Sequence, residues 1–147
     1  MLFRSFPDQN EGNRIGGGEQ FFSAGLWDAS LGACGDFRET IKLKGRSALI
    51  DGAHIKVRFR GWVAASGPAI AHLDLAFRDA ENHQVAINGI TNTVEDTGGE
   101  FMKYQRGSVL PNRARLLNIH LWAENTQEDG YCEAYFDGIE VRIKYVP

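Results

Sequence analysis

The stretch Tyr131-Cys132-Glu133-Ala134-Tyr135-Phe136-Asp137-Gly138-Ile139-Glu140-Val141-Arg142-Ile143 decides the fold, together with Arg113–Trp122 before it. Both alternate apolar and polar residues. In the earlier segment Leu117, Ile119 and Leu121 oppose Leu116, Asn118, His120 and Trp122. Successive side chains of a strand point to opposite faces, so period two with one apolar face marks a strand that covers a core. In the later segment the phase slips. Cys132, Ala134 and Phe136 are apolar at even positions, then Ile139, Val141 and Ile143 at odd ones. One extra residue near Asp137-Gly138 accounts for the slip, which predicts a β-bulge that glycine makes easy. The acidic segment Glu124-Asn125-Thr126-Gln127-Glu128-Asp129-Gly130 reads as the turn between the two strands.

Working outward, the same period recurs. Within Ala53–Ala65, Ile55, Val57, Phe59, Gly61 and Val63 share one face, and His54, Lys56, Arg58, Arg60 and Trp62 the other. Within Ala71–Arg78, Leu73, Leu75 and Phe77 face in while His72, Asp74 and Arg78 face out. Glu19–Leu26, Asp36–Leu43, Gln84–Ile90 and Glu100–Val109 complete the expected strands. Turn residues separate them at Gly16-Gly17-Gly18, Gly32–Gly35, Asp51-Gly52, Ser66-Gly67-Pro68, Asp79–Asn82, Gly98-Gly99 and Pro111-Asn112. Helical periodicity is almost absent. About eight strands at this spacing predict an all-β chain, an antiparallel two-sheet β-sandwich of the jelly-roll kind. The sandwich is expected over residues 19–147. Residues 1–18, polar and glycine-rich, are expected to wrap the surface or fray.

The chain's 147 residues suit one domain, and 43% apolar content allows a normal core. A net charge of −3 supplies no field for nucleic acid or anionic lipid, so neither is an expected partner. Lys56, Arg58 and Arg60 alternate on one strand and read as a solvated face. No apolar run reaches the length of about 18 residues needed to span a membrane. The opening Met1-Leu2-Phe3-Arg4-Ser5-Phe6-Pro7 lacks the apolar stretch of a secretory signal. That leaves an intracellular chain, export by another route, or a sequence shown without its leader. Two cysteines, Cys34 and Cys132, are too few for a zinc framework; they form either one disulfide or two buried thiols.

An enzyme needs a convergent nucleophile and base, a carboxylate pair or a metal cluster. His54, His72, His83 and His120 are dispersed, and there is no Gly-x-Ser-x-Gly elbow or phosphate loop. The expectation is a non-catalytic chain. Sugar recognition needs less: flat aromatic surface for the C–H face of a pyranose, with polar groups for its hydroxyls. Trp27, Trp122 and Tyr131 are the candidate aromatics, and Asp28, Asn125, Glu128 and Asp129 the hydrogen-bonding candidates. Trp62 and His120 read as structural and surface residues respectively.

The order of these pieces resembles the galactose-binding-like jelly-roll superfamily, the fold of many carbohydrate-binding modules and of F-box-associated glycoprotein-recognition domains. The similar stretches are Gly18–Gly25, Phe37–Leu43, Leu49–Ala53 leading into Val57–Trp62, Leu73–Ala80, Val109–Pro111 and Asp129–Ile139, with the aromatic-aromatic-Asp-Gly-Ile ending typical of recognition domains. The resemblance implies a lectin-like, carbohydrate-binding module whose partner is a carbohydrate or glycoprotein, bound through loops at one end or through an outward sheet face. It also implies a structural calcium ion, with Glu11 and Asp137 as the two carboxylates here. The alternative is a protein-interaction or structural module of a larger viral, tail-like or secreted assembly. A homo-oligomer is compatible with both.

Overall fold

In the computed structural model residues 22–23, 32–85, 89–127 and 132–147 are described. Among the described residues there are eight strands: β1 (Phe22–Ser23), β2 (Gly32–Lys42), β3 (Ile55–Ser66), β4 (Ala69–Arg78), β5 (Ile90–Glu95), β6 (Met102–Val109), β7 (Leu116–Asn125) and β8 (Glu133–Tyr145). One short helix, α1 (Ser47–Asp51), joins β2 to β3. The strands form two four-stranded sheets with orders β1-β8-β3-β6 and β2-β7-β4-β5, all pairs antiparallel. The chain passes from one sheet to the other at nearly every connection, which is jelly-roll order.

The two layers meet through the residues whose alternation marked them as inward. Val57, Phe59 and Val63 of β3 and Phe136 of β8 face Leu73, Leu75 and Leu117 of the opposite sheet, each almost fully buried. Burying one such side chain completely is worth about 1.5–3 kcal/mol. Ile139, Val141 and Ile143 are half-buried against the same core, and Tyr145 at the strand end is exposed.

The phase slip in the last strand is a bulge, as its pattern predicts. Arg60 pairs with Glu140 but Trp62 pairs with Asp137, so one residue of β3, Gly61, opposes two of β8. Gly138 has φ of 56°, in the left-handed region that costs a glycine nothing. Its N–H donates to Asp137 Oδ1 at 2.7 Å. Gly61 leaves room for a neighbour: a Cβ there would meet Cδ1 of Ile139, the tip of that side chain.

Three expectations are corrected. The described ends of the expected strand Gln84–Ile90 lie outside any strand until Ile90: Gln84 makes an isolated bridge to Arg78, β5 starts at Ile90, and residues 86–88 lie outside the described residues. The true strand, Ile-Thr-Asn-Thr-Val-Glu, buries only Ile90, so an edge position leaves almost no apolar alternation to read. Gly32–Gly35 is not a turn but the start of β2, where the register against β7 shifts between Ala33 and Asp36. Helix α1 has no counterpart in the sequence reading. It is a single turn that drops Ile50 into the core, too short to show a 3.6-residue period.

Cys34 and Cys132 form a disulfide, with Cα atoms 6.3 Å apart. It ties the start of β2 to the residue before β8, and so one sheet to the other. The expected strand Glu19–Leu26 is described only at Phe22–Ser23, and the segment 1–18 lies outside the described residues. Among the described residues no helix is long and apolar enough to cross a membrane.

Candidate ligand-binding face

The outward face of the β2-β7-β4-β5 sheet carries the densest polar and aromatic array among the described residues. Strict alternation builds it. In β4 and β7 every second residue is buried, which forces His72 and Asp74 of β4, and Asn118, His120, Trp122 and Glu124 of β7, onto the other side. The register sets these residues in rows. Asp36, Trp122, His72 and Thr93 lie across the four strands in one row, and Arg38, His120, Asp74 and Thr91 in the next.

Trp122 is the hub. Its indole stacks on the His72 imidazole, with ring centroids 3.8 Å apart and planes 7° from parallel. The His120 ring lies 5.8 Å away at 16°. Trp122 Nε1 donates to Asp74 Oδ2 at 2.8 Å. Carboxylates brace the two imidazoles: His72 Nε2 is 3.2 Å from Glu124 Oε1, and His120 Nε2 is 3.1 Å from Asp36 Oδ2. Arg38 Nε also donates to Asp36 Oδ2, at 2.7 Å. These bonds, from Arg38 first and then His120, hold the Asp36 carboxyl below the usual carboxylate range. Thr40 Oγ1 extends the network to Asn118 Oδ1 at 2.9 Å.

The array is pre-ordered. The His72 side chain is 13% exposed, and Trp122 is half-buried, with one indole face covered by His72. A guest therefore meets a ridge of ring edges flanked by carboxylates, a guanidinium and hydroxyls, which can exchange hydrogen bonds with a hydroxyl-rich molecule. Three carboxylates, Asp36, Asp74 and Glu124, surround the ridge against one guanidinium, Arg38. That balance disfavours a strongly anionic guest.

Of the candidates named from sequence, Trp122 is placed on this face, and β7 runs on through Glu124 and Asn125, the first two residues of the expected acidic turn. Asn125 is not available to a ligand: it is 2% exposed, and its Oδ1 accepts the Gln127 N–H at 3.1 Å, shaping the turn. Trp27, Asp28, Glu128, Asp129, Tyr131 and Glu11 lie outside the described residues. Asp137 sits in the bulge; Oδ1 caps Gly138, while Oδ2 is buried without a hydrogen-bond partner among the described residues. His120 is on the outward face, as its alternation indicates, but it is bonded to Asp36 rather than simply solvated. The sequence reading passed over His72, Asp74, Glu124, Asp36 and Arg38 as site residues. Their shared outward phase was visible, whereas the register that sets them beside Trp122 was not.

No family model matches the chain, and no curated protein matches it. Solved structures are similar to it to differing degrees. A bacteriophage CBA120 tailspike protein 4 enzymatically active domain superposes with a TM-score of 0.53 at 17% identity, covering 74% of this chain and 14% of its own. A CBM4 domain gives 0.47 at 15% identity, covering 74% and 61%. The CBM22-1 xylan-binding domain of Paenibacillus barcinonensis Xyn10C gives 0.40 at 18%, covering 84% and 92%. The chain thus spans about one-seventh of the tailspike domain and under two-thirds of the CBM4 chain. At 17% identity the likeness to the tailspike domain speaks to the fold alone.

Proposed function

We propose that the chain is a non-catalytic carbohydrate-binding module, belonging with the galactose-binding-like jelly rolls, that recognises a neutral glycan through the outward face of the β2-β7-β4-β5 sheet. The observation that carries this reading is Trp122, held between His72 and Asp74 and ringed by polar side chains that share its rows. With His72 stacked on the Trp122 indole and ring edges outward, the polar side chains of the two rows, more than a flat aromatic shelf, supply the contacts to a hydroxyl-rich guest, which makes a weak, usable site. Trp27, Asp28, Glu128, Asp129 and Tyr131 are proposed as loop contacts that extend it. A glycan array probed with wild type and Trp122→Ala tests the reading. Neutral glycans retained by wild type and lost by a folded variant support it; no retained glycan, or equal retention, opposes it.

The same proposal includes Glu11 and Asp137 as ligands of a structural Ca2+. The buried, unpartnered Oδ2 of Asp137 supports it, being an oxygen left for a cation. Calcium takes six to eight oxygens, and among the described residues no three His, Cys, Asp or Glu gather to hold a metal ion. Glu11 and further oxygens would have to come from outside the described residues.

A second reading, a protein-interaction or structural module of a larger assembly, draws on the edge strand β6. Met102 and Val109, at its two ends, are 53% and 47% exposed. Concentration-dependent self-association, or a partner shielding β6, would favour it.

A further inference from the structure

The outward face of the other sheet has the opposite sign. Lys56, Arg58 and Arg60 of β3, Arg142 and Lys144 of β8 and Lys103 of β6 all stand on it, six of the chain's 16 Lys and Arg. Register makes the arrangement unusual. Lys56 lies directly opposite Lys144, and Arg58 directly opposite Arg142. Residues so paired have Cβ atoms about 4.5–5.5 Å apart, and like charges there destabilise a sheet. Glu140 relieves only one end: it accepts Arg142 Nε and Arg60 Nε, the latter at 2.6 Å. Among the described residues no carboxylate pairs with Lys56, Arg58, Lys103 or Lys144.

The shape is a stripe. From Lys56 to Trp62 it runs six steps along the strand, about 20 Å at the usual rise per residue, and it is two strands wide. On its β6 flank Gly107 lies opposite Arg58, and the Lys56 stem crosses it, with Cε 3.3 Å from where a Cβ would be. The floor beside the cations is therefore flat. Trp62, opposite Asp137, closes the far end.

We propose that this face of β3 and β8 is a second binding site, for a linear acidic polysaccharide carrying carboxylates or sulfates. Two rows of repelling cations are stabilised by a polymer that lays negative groups along them. Guanidinium groups such as those of Arg58 and Arg142 bind carboxylate and sulfate oxygens as planar forks. A membrane would want a broad basic disc with apolar residues to insert, rather than a narrow stripe. A single-stranded nucleic acid would want several stacking aromatics along its track, whereas Trp62 and Tyr135, the aromatics that share this outward phase, both lie beyond the cations at one end. The site does not depend on Trp122 or on the face proposed above.

The test is affinity electrophoresis and calorimetry at about 50 mM salt, where phosphate- and sulfate-type contacts are strongest. Heparin serves as the sulfated probe, polygalacturonate as the carboxylate-only probe, and a neutral glucan as the control. Wild type is expected to bind at least one acidic polymer, with affinity falling as salt rises. Arg58→Gln/Arg142→Gln is expected to lose on the order of tenfold or more, while Trp122→Ala keeps the binding. The double variant removes a like-charge pair together with the exposed Arg142–Glu140 ion pair, so its melting temperature should change little, separating lost binding from lost fold. Retention of neither acidic polymer overturns the proposal. So does equal binding by the double variant, or tighter binding of a single-stranded oligonucleotide or phosphatidylserine vesicles than of both polymers.

Discussion

Trp122 and His72 lie directly opposite each other on β7 and β4, and their rings stack 3.8 Å apart, almost parallel. The pair turns two neighbouring strands into one surface. It also means that the indole serves the fold and the proposed site together, which separates the consequences of its replacement.

Trp122→Ala removes the stack and leaves Asp74 without its indole donor. The expected loss is about 2–4 kcal/mol of stability, from a stacked pair and a hydrogen bond to a carboxylate. Unfolding should remain cooperative, since the core side of β7 is untouched. Trp122→Phe should restore part of the stack but not the bond to Asp74. Urea melts check the stability, and the glycan array checks the binding.

The Cys34–Cys132 disulfide closes a sequence separation of 98 residues. Constraining a loop of that size in the unfolded chain is worth up to about 4.7 kcal/mol, and typical measured gains are about 2–4 kcal/mol. Cys34→Ser/Cys132→Ser, or reduction of the wild type, should lower the denaturation midpoint accordingly. Equal midpoints in the two redox states would contradict this.

Gly61→Ala drives a Cβ into Ile139 Cδ1. Overpacking of this kind costs about 1–3 kcal/mol. The double variant Gly61→Ala/Ile139→Ala should recover part of that loss relative to the two changes added separately. Simple additivity in a double-mutant cycle would show that the bulge has another way to relax.

Acid should weaken the fold through identifiable carboxylates. Asp51 bonds Arg115 through both oxygens and also accepts the Arg113 N–H; these contacts, Arg115 first, lower its pKa from the ordinary 3.8. Asp79, 5% exposed, accepts the His83 and Glu81 N–H groups, and the bond from His83 leads the lowering of its pKa. The bond from Arg60 leads the lowering of Glu140 from 4.5. Each group is more acidic folded than unfolded, so its contribution is complete above the ordinary value and is lost as pH falls through the depressed one. Stability measured from pH 6 down to about 2 should fall mainly below about pH 4, and Asp51→Asn should flatten the decline.

If Asp137 and Glu11 hold calcium, added CaCl2 should raise the melting temperature over that in EDTA, and Asp137→Asn should abolish the difference. At a hundredfold excess over Kd the gain is about 2.7 kcal/mol. Identical melts with and without calcium would leave Asp137 as the cap of the Gly138 bulge alone.

Much of this architecture can be read from residues that alternate against a core. Val57–Phe59–Val63, Leu73–Leu75–Phe77 and Leu117–Ile119–Leu121 face where their period places them, and the slip at Asp137-Gly138 is a bulge. The edge strand β5 escaped, because it buries too little to leave a pattern, while the edge strands β2 and β6 were legible. Helix α1 escaped because one turn has no period. At the candidate face the outward phase of His72 and Asp74 was legible, but not their alignment with Trp122, since pairing register is a long-range property. Asn125 misled for a related reason: an Asn in an acidic turn looks solvated, yet its side chain folds back to bond the Gln127 N–H.

The most direct measurement is backbone amide chemical-shift mapping during titration with the neutral oligosaccharide that gives the strongest array signal. Perturbations should cluster at His72, Asp74, His120, Trp122 and Glu124 on the outward side of β4 and β7. Shifts confined to β3 and β8, or no saturable shifts with any neutral glycan the array retains, would contradict the assignment of this face.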